Sequence, residues 1–237
     1  MQLGPATQNL DILSGGAAQG LVEALADPFR TDTGLGIGGH FGAVGVMRDL
    51  LMGGEPCDLL ILSQTLIDGL VQSGHALADS VTPLGTVHAG VAVPAGQVHP
   101  KVDTPEALRQ ALSQASVIYC PNPKQATAGI HFYKVLTDLG LTETHAQRMR
   151  TYPNGNTAMR AMAEDAIPGA IGSTQVTEIV YTPGVELVGL LPAPHGLSTV
   201  YTAAVSVQAR KPEAARALIQ MLTATRYAEV RRRAGFS

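Results

Sequence analysis

The apolar positions of this chain follow two periods, one typical of buried strands and the other typical of amphipathic helices. The clearest strand pattern is the apolar run 58–62, which is typical of a strand buried on both faces of a parallel sheet. The clearest helix pattern is 212–222, which has a proline in its first turn and repeats its apolar residues at helical spacing. Strand and helix patterns alternate along most of the chain. This alternation predicts an α/β fold of mostly parallel sheets with flanking helices.

The first strand pattern, 10–13, runs into a glycine-rich turn. Gly15 and Gly16 come next, and a helical pattern that extends to Phe29 begins at once. The first backbone N–H groups of such a helix have no partner inside it and, together with the helix dipole, favour an anion. Glycine would let a ligand approach the backbone closely. The turn therefore predicts an anion site, with an ordinary strand–helix turn as the alternative.

Polar loops also follow the other strand patterns. The segments 14–17, 39–42 and 63–64 each come directly after a strand pattern. The carboxyl ends of parallel strands meet at one edge of a sheet, and ligands gather at that edge, so we expect these loops to lie together. The second half of the chain repeats the design, with a polar loop at 120–127 and a polar segment at 173–175 after the strand pattern 169–172.

The composition argues against several classes of function. The chain has 237 residues, 45% of them hydrophobic, which is enough for one large domain or two modest ones. The formal net charge is −3 without a long run of one sign, so we expect no nucleic-acid partner. Cys57 and Cys120 lack metal or redox spacing, so we expect buried thiols, with a disulfide left open. No histidine pair has metal-ligand spacing, and we expect neither a metal nor another cofactor.

Hydropathy argues against insertion into a membrane. No apolar run approaches the roughly 20 residues of a membrane span, so we expect no direct insertion. Residues 1–5 have neither the basic start nor the apolar core of a signal peptide. We therefore expect either a cytosolic protein or the mature part of an exported one.

The order of the elements and several short motifs resemble the periplasmic molybdate-binding proteins. The matching motifs span nearly the whole chain and are Ser14–Ala18, Gly54–Ser63, Thr127–Ile130, Leu139–Gly140, Pro212–Ala215 and Arg233–Phe236. The resemblance implies the two-lobed type II periplasmic binding-protein fold, each lobe a mostly parallel sheet flanked by helices, with a ligand cleft between the lobes. Lobe one would be 1–84 plus 198–237, and lobe two 85–197.

The same resemblance implies a setting for the protein. It implies a small anionic ligand and delivery of that ligand to an ABC-type membrane permease. It also implies a periplasmic location after removal of a signal peptide, although a cytoplasmic location stays open.

The chain departs from the molybdate-binding members at the positions that hold the oxyanion. The resemblance aligns Ala17 and Val44 with serines of those members, and Ser173 with their frequent tyrosine. Two backbone amides of the second lobe would lie near Ala128 and Gly155, and these need no side chain. Because a buried oxyanion with fewer donors is costly, we expect a di- or tricarboxylate rather than molybdate or tungstate.

The residues expected to bind this ligand combine hydroxyl, amide and backbone N–H donors with few acids, which suits a carboxylated anion. They are Ser14, Gly15, Gly16, Ala17, His40, Ser63, Lys124, Thr127, Ala128, Asn154, Gly155, Asn156, Ser173 and Thr174. Gln175 and Tyr201 lie near the same predicted cleft.

Two classes of function stay open. The first is a soluble receptor that delivers a small organic anion to a transporter. The second follows from aconitate isomerases of some bacteria, which resemble molybdate-binding proteins and interconvert trans- and cis-aconitate by an allylic proton shift. That reaction needs a base, for which His40 or His131 would serve, and donors such as Lys124 that stabilise the developing charge. The alternatives are a solvent-facing loop histidine, a helix-surface histidine and a solvated lysine.

Overall fold

The computed structural model describes residues 9–142 and 146–237, which divide into two compact units. The first unit contains the residues up to Gly85 together with Val200–Ser237, and the second contains Thr86–Thr199. The chain therefore leaves the first unit once and returns to it, so that unit is built from two separate parts of the sequence.

Strands and helices alternate along both units. The described strands are β1 (Asn9–Gly15), β2 (Gly36–Gly42), β3 (Leu59–Ser63), β4 (Thr82–Pro94), β5 (Ile118–Pro121), β6 (Met149–Tyr152), β7 (Ile171–Gln175), β8 (Val185–Leu190) and β9 (Ser198–Val205). The described α-helices are α1 (Gln19–Ala24), α2 (Ala26–Thr33), α3 (Val44–Met52), α4 (Gln64–Gln72), α5 (Pro105–Gln114), α6 (Thr127–Asp138), α7 (Gly155–Asp165), α8 (Val176–Tyr181), α9 (Pro212–Thr223) and α10 (Ala228–Arg233). Short 3-10 turns lie at Gly16–Ala18, Ala78–Ser80, Ala146–Arg148 and Thr225–Tyr227. None of the helices in the described ranges is both long and apolar enough to cross a membrane.

The sheet of the first unit contains the strands in the order β2-β1-β3-β9. β1 pairs in parallel with β2 along its whole length and with β3 over part of it, whereas β9 runs antiparallel to β3. Residues 59–62 of β3 are fully buried, and so is the apolar face of α9. The two clearest patterns of the sequence are thus confirmed, because each presents a continuous apolar surface to the core.

The helix predicted after the first strand is divided in the structure. Gly16–Ala18 form a buried 3-10 turn, α1 follows with six residues, and Leu25 separates it from α2. Leu25 and Phe29 are both buried, so the predicted apolar face is right, although the prediction of one helix is wrong. Pro28 lies in the first turn of α2, where its missing N–H removes no hydrogen bond, whereas a single long helix would place it in the interior.

The second strand extends further than the sequence predicts. The loop predicted at 39–42 is wrong, because β2 continues to Gly42 and places His40 inside the strand, opposite Leu13 of β1. Glycine disfavours a strand locally, but pairing with β1 along the whole length overrides that preference. Gly39 has a φ of 117°, and a side chain there would overlap the backbone of Ile12.

The sheet of the second unit contains the strands in the order β4-β7-β5-β6, with β8 paired to β4. β5 is parallel to β6 and β7, and β4 is antiparallel to β7 and β8. Helices pack on both faces: α5 and α6 contribute Leu112 and Phe132 to one core, and α7 contributes Met159 and Met162 to the other. The α/β class with sheets flanked by helices is therefore confirmed, although the sheet of the second unit is mixed, with two parallel and two antiparallel pairings.

The strand β7 also extends further than predicted. The polar segment 173–175 belongs to β7 and pairs with β4, with Thr174 opposite Gly90. Their polarity is typical of a loop, but the ladder with β4 satisfies their backbone and their side chains are buried. Three buried polar side chains therefore stand at the carboxyl end of a central strand.

A polar cluster fixes the end of α7 to the sheet. The hydroxyl of Tyr119 donates a 2.5 Å hydrogen bond to Asp165, and Arg150 donates to both of these groups. Burial and the hydrogen bond to Asp165 raise the pKa of Tyr119 to about 12, so its proton stays in place. The cluster holds α7 against β5 and β6.

Candidate functional site

The carboxyl end of β1 is the first part of the candidate site in the first unit. Gly15 ends this strand, and a Cβ there would lie 2.7 Å from Cε1 of Tyr201 and 2.8 Å from Cγ1 of Val44. Tyr201 and Val44 are themselves buried. Glycine is thus required here by close packing within the unit. Tyr201 and Val44 therefore pack against the Cα of Gly15.

The other predicted residues of this edge differ in their access to solvent. Ser14 is fully buried, and its hydroxyl donates a 3.0 Å hydrogen bond to the carbonyl of Gly15. Gly16 and Ala17 are buried in the 3-10 turn. Ser63 ends β3, is partly exposed, and does not cap α4 with its side chain. Ser63 is therefore the predicted hydroxyl of this unit that a ligand can reach.

His40 lies on an exposed part of β2. Its Nε2 is 3.1 Å from Oε1 of Glu55, and the two side chains are 52% and 41% exposed. Glu55 belongs to the connection that leads from α3 to the beginning of β3, and so to the opposite end of that strand from Ser63. His40 and Ser63 are both in the first unit, but the structure gives them different surroundings.

His131 and Lys124 lie around the beginning of α6 in the second unit. Nε2 of His131 is 2.7 Å from the carbonyl oxygen of His195, which only accepts, so this nitrogen carries the proton. The other ring nitrogen is then the basic atom. Lys124 is exposed, and its backbone N–H donates to the side chain of Asn122. The structure thus leaves Lys124 as a solvated cation near the start of α6.

The beginning of α6 presents backbone donors. Its N-cap residue is Ala126, which has no side-chain acceptor for them. The first N–H groups of a helix have no partner inside it, and here they belong to Thr127, Ala128 and Gly129. A side chain at Gly129 would overlap the carbonyl oxygens of Pro121 and Asn122, so glycine lets the end of β5 and the loop after it pack tightly on the helix. The sequence prediction that Thr127 and Ala128 bind the ligand is compatible with this arrangement.

The beginning of α7 is different, because acceptors from the same unit satisfy its donors. Oδ1 of Asn154 accepts hydrogen bonds from the backbone N–H and the hydroxyl of Thr157, at 2.9 and 3.0 Å. The carbonyl of Asn154 accepts from the N–H of Ala158 at 3.1 Å. The two remaining N–H groups, of Gly155 and Asn156, donate to the carboxylate of Glu178. The first four N–H groups of α7 therefore all have acceptors.

Glu178 is held in what we name the amide cradle, which consists of the backbone N–H groups of Gly155, Asn156 and Gln175 and the hydroxyl of Thr174. The Thr174 hydroxyl donates to the carboxylate at 2.5 Å. A Cβ at position 155 would overlap both the carboxylate and this hydroxyl, so only glycine fits.

The environment of Glu178 changes its acidity. Its side chain is almost completely enclosed, with 5% of the residue exposed. Burial disfavours the charged form and raises the pKa to about 7, although the hydrogen bonds of the amide cradle act in the opposite direction. A carboxyl group of this kind can hold or release a proton near neutral pH.

Two further buried side chains lie at the beginning of α8, beside Glu178. Oε1 of Gln175 and Oγ1 of Thr177 have no hydrogen-bond partner among the described residues, although each residue is only 2% exposed. Nε2 of Gln175 lies 3.4 Å from the hydroxyl of Thr199. Exchanging the oxygen and nitrogen of the carboxamide would only move the unsatisfied end, since one end faces Thr199 in either case. A buried polar atom without a partner marks a place where a ligand or an ordered water is expected.

The predicted hydroxyl groups of this edge donate to acceptors within the unit. The hydroxyl of Ser173 donates to the carbonyl of Gly90 at 3.0 Å, and that of Thr174 donates to Glu178. Asn156 is 2% exposed, and its N–H is also directed at Glu178. Within residues 9–142 and 146–237, His, Cys, Asp and Glu side chains do not gather in groups of three that could hold a metal ion.

Sequence reasoning missed Glu178 and Thr177 altogether. A glutamate three residues after an N-cap is a recognised cap signal, because it can accept from the N–H of the N-cap residue. Gln175 is that N-cap here, and Glu178 accepts from its N–H. The signal would have placed a cap at α8. It would not have shown that the same carboxylate also reaches the start of α7.

The chain is similar to known proteins along almost its whole length. The profile of a family described as bacterial extracellular solute-binding protein matches residues 10–237. The chain belongs to this family. An aconitate isomerase from a Pseudomonas species is 28% identical over 225 residues, which cover 90% of this chain and 81% of that protein.

Two solved structures of binding proteins share the fold. The periplasmic molybdate-binding protein of Azotobacter vinelandii has a TM-score of 0.78 at 19% identity, covering 97% of this chain and 99% of that chain. The sulfate-binding protein SubI of Mycobacterium tuberculosis has a TM-score of 0.74 at 16% identity, covering 97% and 86%. Identities this low show the fold alone. The two structures confirm the periplasmic binding-protein fold and the likeness to molybdate-binding proteins.

Proposed function

We propose that this family member is a receptor for a small organic anion, and that its ligand is a di- or tricarboxylate. The observation that carries the proposal is the pair of buried polar side chains at the start of α8, Gln175 and Thr177, which have atoms without partners among the described residues. An unsatisfied buried group costs about 1–3 kcal/mol, and a ligand that hydrogen-bonds to it removes that cost. Towards a carboxylate, the Thr177 hydroxyl can donate, and the Gln175 carboxamide can donate with its NH₂ end facing the ligand. Membership of a solute-binding family supports a binding role.

The available donors favour a carboxylate over a tetrahedral oxyanion. The positions aligned with the serines of molybdate-binding members hold Ala17 and Val44, which have no hydroxyl. The uncapped start of α6 offers backbone N–H groups, which suit an anion, and Lys124 adds a cation nearby. A carboxylate needs two or three such donors for each of its groups, and its carbon chain can pack on apolar walls.

We also infer a periplasmic location and delivery of the ligand to an ABC-type permease. The family description, which is extracellular and solute-binding, supports both inferences, as does the likeness of the fold to periplasmic binding proteins. Expression from the native gene, followed by cell fractionation, tests the location. Recovery in the cytoplasmic fraction would contradict it.

Calorimetric titration with trans-aconitate, citrate, succinate and molybdate tests the receptor proposal. We expect saturable binding of at least one of the three carboxylates and none of molybdate at the same concentrations. Gln175→Leu keeps the volume of the side chain and should weaken that binding at least tenfold, because it removes a polar contact. Gln110→Leu, at an exposed position of α5, is the matched control and should bind normally. Equal affinity of Gln175→Leu and the wild type would contradict the proposed site.

Aconitate isomerase activity is the second candidate. The relative from Pseudomonas, 28% identical across 90% of this chain, favours it. The reaction requires a base that removes a proton from the substrate CH₂ and returns one at the other end of the allylic system. His131 has one ring nitrogen directed at the carbonyl of His195, which leaves the other as a base. His40 lies beside a carboxylate, Glu55, which would orient its ring.

Proton NMR of trans-aconitate with the protein in D₂O separates the two candidates. Formation of cis-aconitate with deuterium incorporation would establish the isomerase, and loss of turnover in His40→Ala or His131→Ala would identify the base. Line broadening of trans-aconitate without conversion would support the receptor instead.

A further inference from the structure

A carboxyl group of the protein already occupies a place that an oxyanion could use. The N–H groups of Gly155 and Asn156 and the hydroxyl of Thr174 converge on one point, and the carboxylate of Glu178 fills it. These donors come from α7 and from the end of β7, whereas Glu178 comes from α8. The residue is 5% exposed, so a ligand that took over the same donors would have to displace a packed side chain.

The consequence is an asymmetry between two helices that begin at the same edge of the second unit. α6 begins without a side-chain acceptor, whereas the first four N–H groups of α7 are all satisfied. The buried atoms of Gln175 and Thr177 that lack partners lie next to Glu178 in the chain. A ligand can therefore be received by α6 and the start of α8, while the donors of α7 stay occupied.

We propose that Glu178 is a specificity-determining residue, whose carboxyl group fills the amide cradle and thereby keeps tetrahedral oxyanions such as molybdate and sulfate from being bound by its donors. The inference rests on the proposed function, since it requires the ligand to bind at this edge of the second unit. A tetrahedral dianion needs many convergent donors around one centre, and Glu178 removes four of them. A carboxylate ligand spreads its acceptors along a carbon skeleton and can use the donors that remain.

The test compares two substitutions that separate the charge of Glu178 from the space it fills. Glu178→Ala removes the charge and vacates the amide cradle, whereas Glu178→Gln removes the charge but leaves the cradle filled. Glu164→Ala removes an exposed carboxylate of α7 and is the control for a general change in net charge. Each purified protein is titrated with sodium molybdate by calorimetry and, separately, with trans-aconitate.

We expect Glu178→Ala to bind molybdate at least tenfold more tightly than the wild type, since charge-assisted hydrogen bonds become available to it. Glu178→Gln and Glu164→Ala should gain less than threefold. Equal gains in Glu178→Ala and Glu178→Gln would show that charge alone matters and would overturn the proposal. No gain in Glu178→Ala would overturn it as well.

A second measurement serves if Glu178→Ala does not fold. In Glu178→Gln, an NH₂ group replaces one of the oxygens that face the amide cradle, so an acceptor is lost. The backbone amide signals of Gly155 or Asn156 should then move by more than those of residues elsewhere in α7, when ¹H–¹⁵N spectra of variant and wild type are compared at one pH. Unchanged signals at both residues would overturn the proposal that Glu178 occupies the amide cradle.

The outcomes keep this inference separate from the receptor proposal. If the wild type binds none of the carboxylates, the receptor proposal for that ligand class fails. A molybdate gain confined to Glu178→Ala would still uphold the role of Glu178 in that case. Binding of trans-aconitate by the wild type without any molybdate gain in Glu178→Ala would uphold the receptor and reject the specificity role.

Discussion

The stability of Glu178→Gln relative to the wild type should rise as the pH is raised from 4 to 8. Glutamine has the volume of glutamate but cannot ionise. In the wild type the fold favours the neutral carboxyl, because burial raises its pKa from 4.5 to about 7. The substitution therefore isolates the free energy of ionising one buried carboxyl group.

The sign and size of the effect follow from proton linkage. The folded protein holds the Glu178 proton more tightly than the unfolded chain, so the free energy of unfolding falls as the pH rises from the unfolded to the folded pKa. A rise from 4.5 to about 7 corresponds to a total of about 3 kcal/mol. Its stabilising contribution is complete below pH 4.5 and is lost above pH 7, with most of the change between pH 5 and 8.

Other ionisable groups near Glu178 do not produce the same signal. The elements packed on α8 are α7, β7 and β8, and their charged residues are Arg160, Glu164, Asp165 and Glu186. All four are exposed, so solvent screens them and they contribute little to the energy of a buried site. They are also present in both proteins, so their own titration cancels in the comparison.

Urea unfolding at pH 4, 5, 6, 7 and 8, followed by circular dichroism, measures the difference between the two proteins. The stability of Glu178→Gln relative to the wild type should increase by about 3 kcal/mol across this range. Glu164→Gln, at an exposed site, should track the wild type at every pH. A difference between Glu178→Gln and the wild type that stays constant with pH would refute the reasoning, because it would mean that the carboxyl titrates normally in the fold.

Three further predictions concern packing, hydrogen bonding and thiol reactivity. Gly155→Ala should lower the free energy of unfolding by about 2–4 kcal/mol, because its Cβ overlaps a buried carboxylate, whereas Gly69→Ala on α4, where a Cβ meets nothing within 4 Å, should be neutral or slightly stabilising in the same urea assay. Asp58→Ala should lower the free energy of unfolding by about 3 kcal/mol or more, since three backbone N–H groups that donate to this buried carboxylate lose their acceptor. A midpoint of thermal unfolding within about 2 °C of that of the wild type would contradict this. Cys57 and Cys120 are free and buried, and burial raises the pKa of each to about 12, so neither should react with a thiol reagent at pH 8 until the protein unfolds.

The elements that the sequence predicts well are those whose own residues determine whether the segment forms a strand or a helix. The run 59–62 is apolar throughout and is fully buried in β3, and α9 carries a complete apolar face that begins at a proline. In these cases hydrophobic period and cap residues agree, and no distant segment is needed to choose between structures.

The predictions that fail are those in which a distant segment decides. Glycines suggest a loop around His40, but β1 supplies backbone partners and makes it a strand. The polar segment 173–175 would suit a loop by composition alone, but pairing with β4 keeps it in β7. Local composition does not show which strand lies alongside a segment. Backbone hydrogen bonding to a neighbouring strand outweighs the weak tendency of glycine and polar residues to avoid strands. The same reasoning explains why His40, expected in a loop, faces Glu55 from within a strand.

The candidate site shows the same dependence at the level of single hydrogen bonds. A helix that begins at the carboxyl edge of a parallel sheet is a general reason to expect an anion, and α6 and α7 both satisfy that description. Only the full account of donors and acceptors distinguishes them, because the acceptor that satisfies α7 belongs to α8. The presence of backbone N–H donors at an edge is therefore not enough to assign a ligand; the assignment requires knowing which of them another part of the chain has already taken. In this protein that distinction depends on one carboxylate, which makes Glu178 the residue whose substitution reveals most about the ligand.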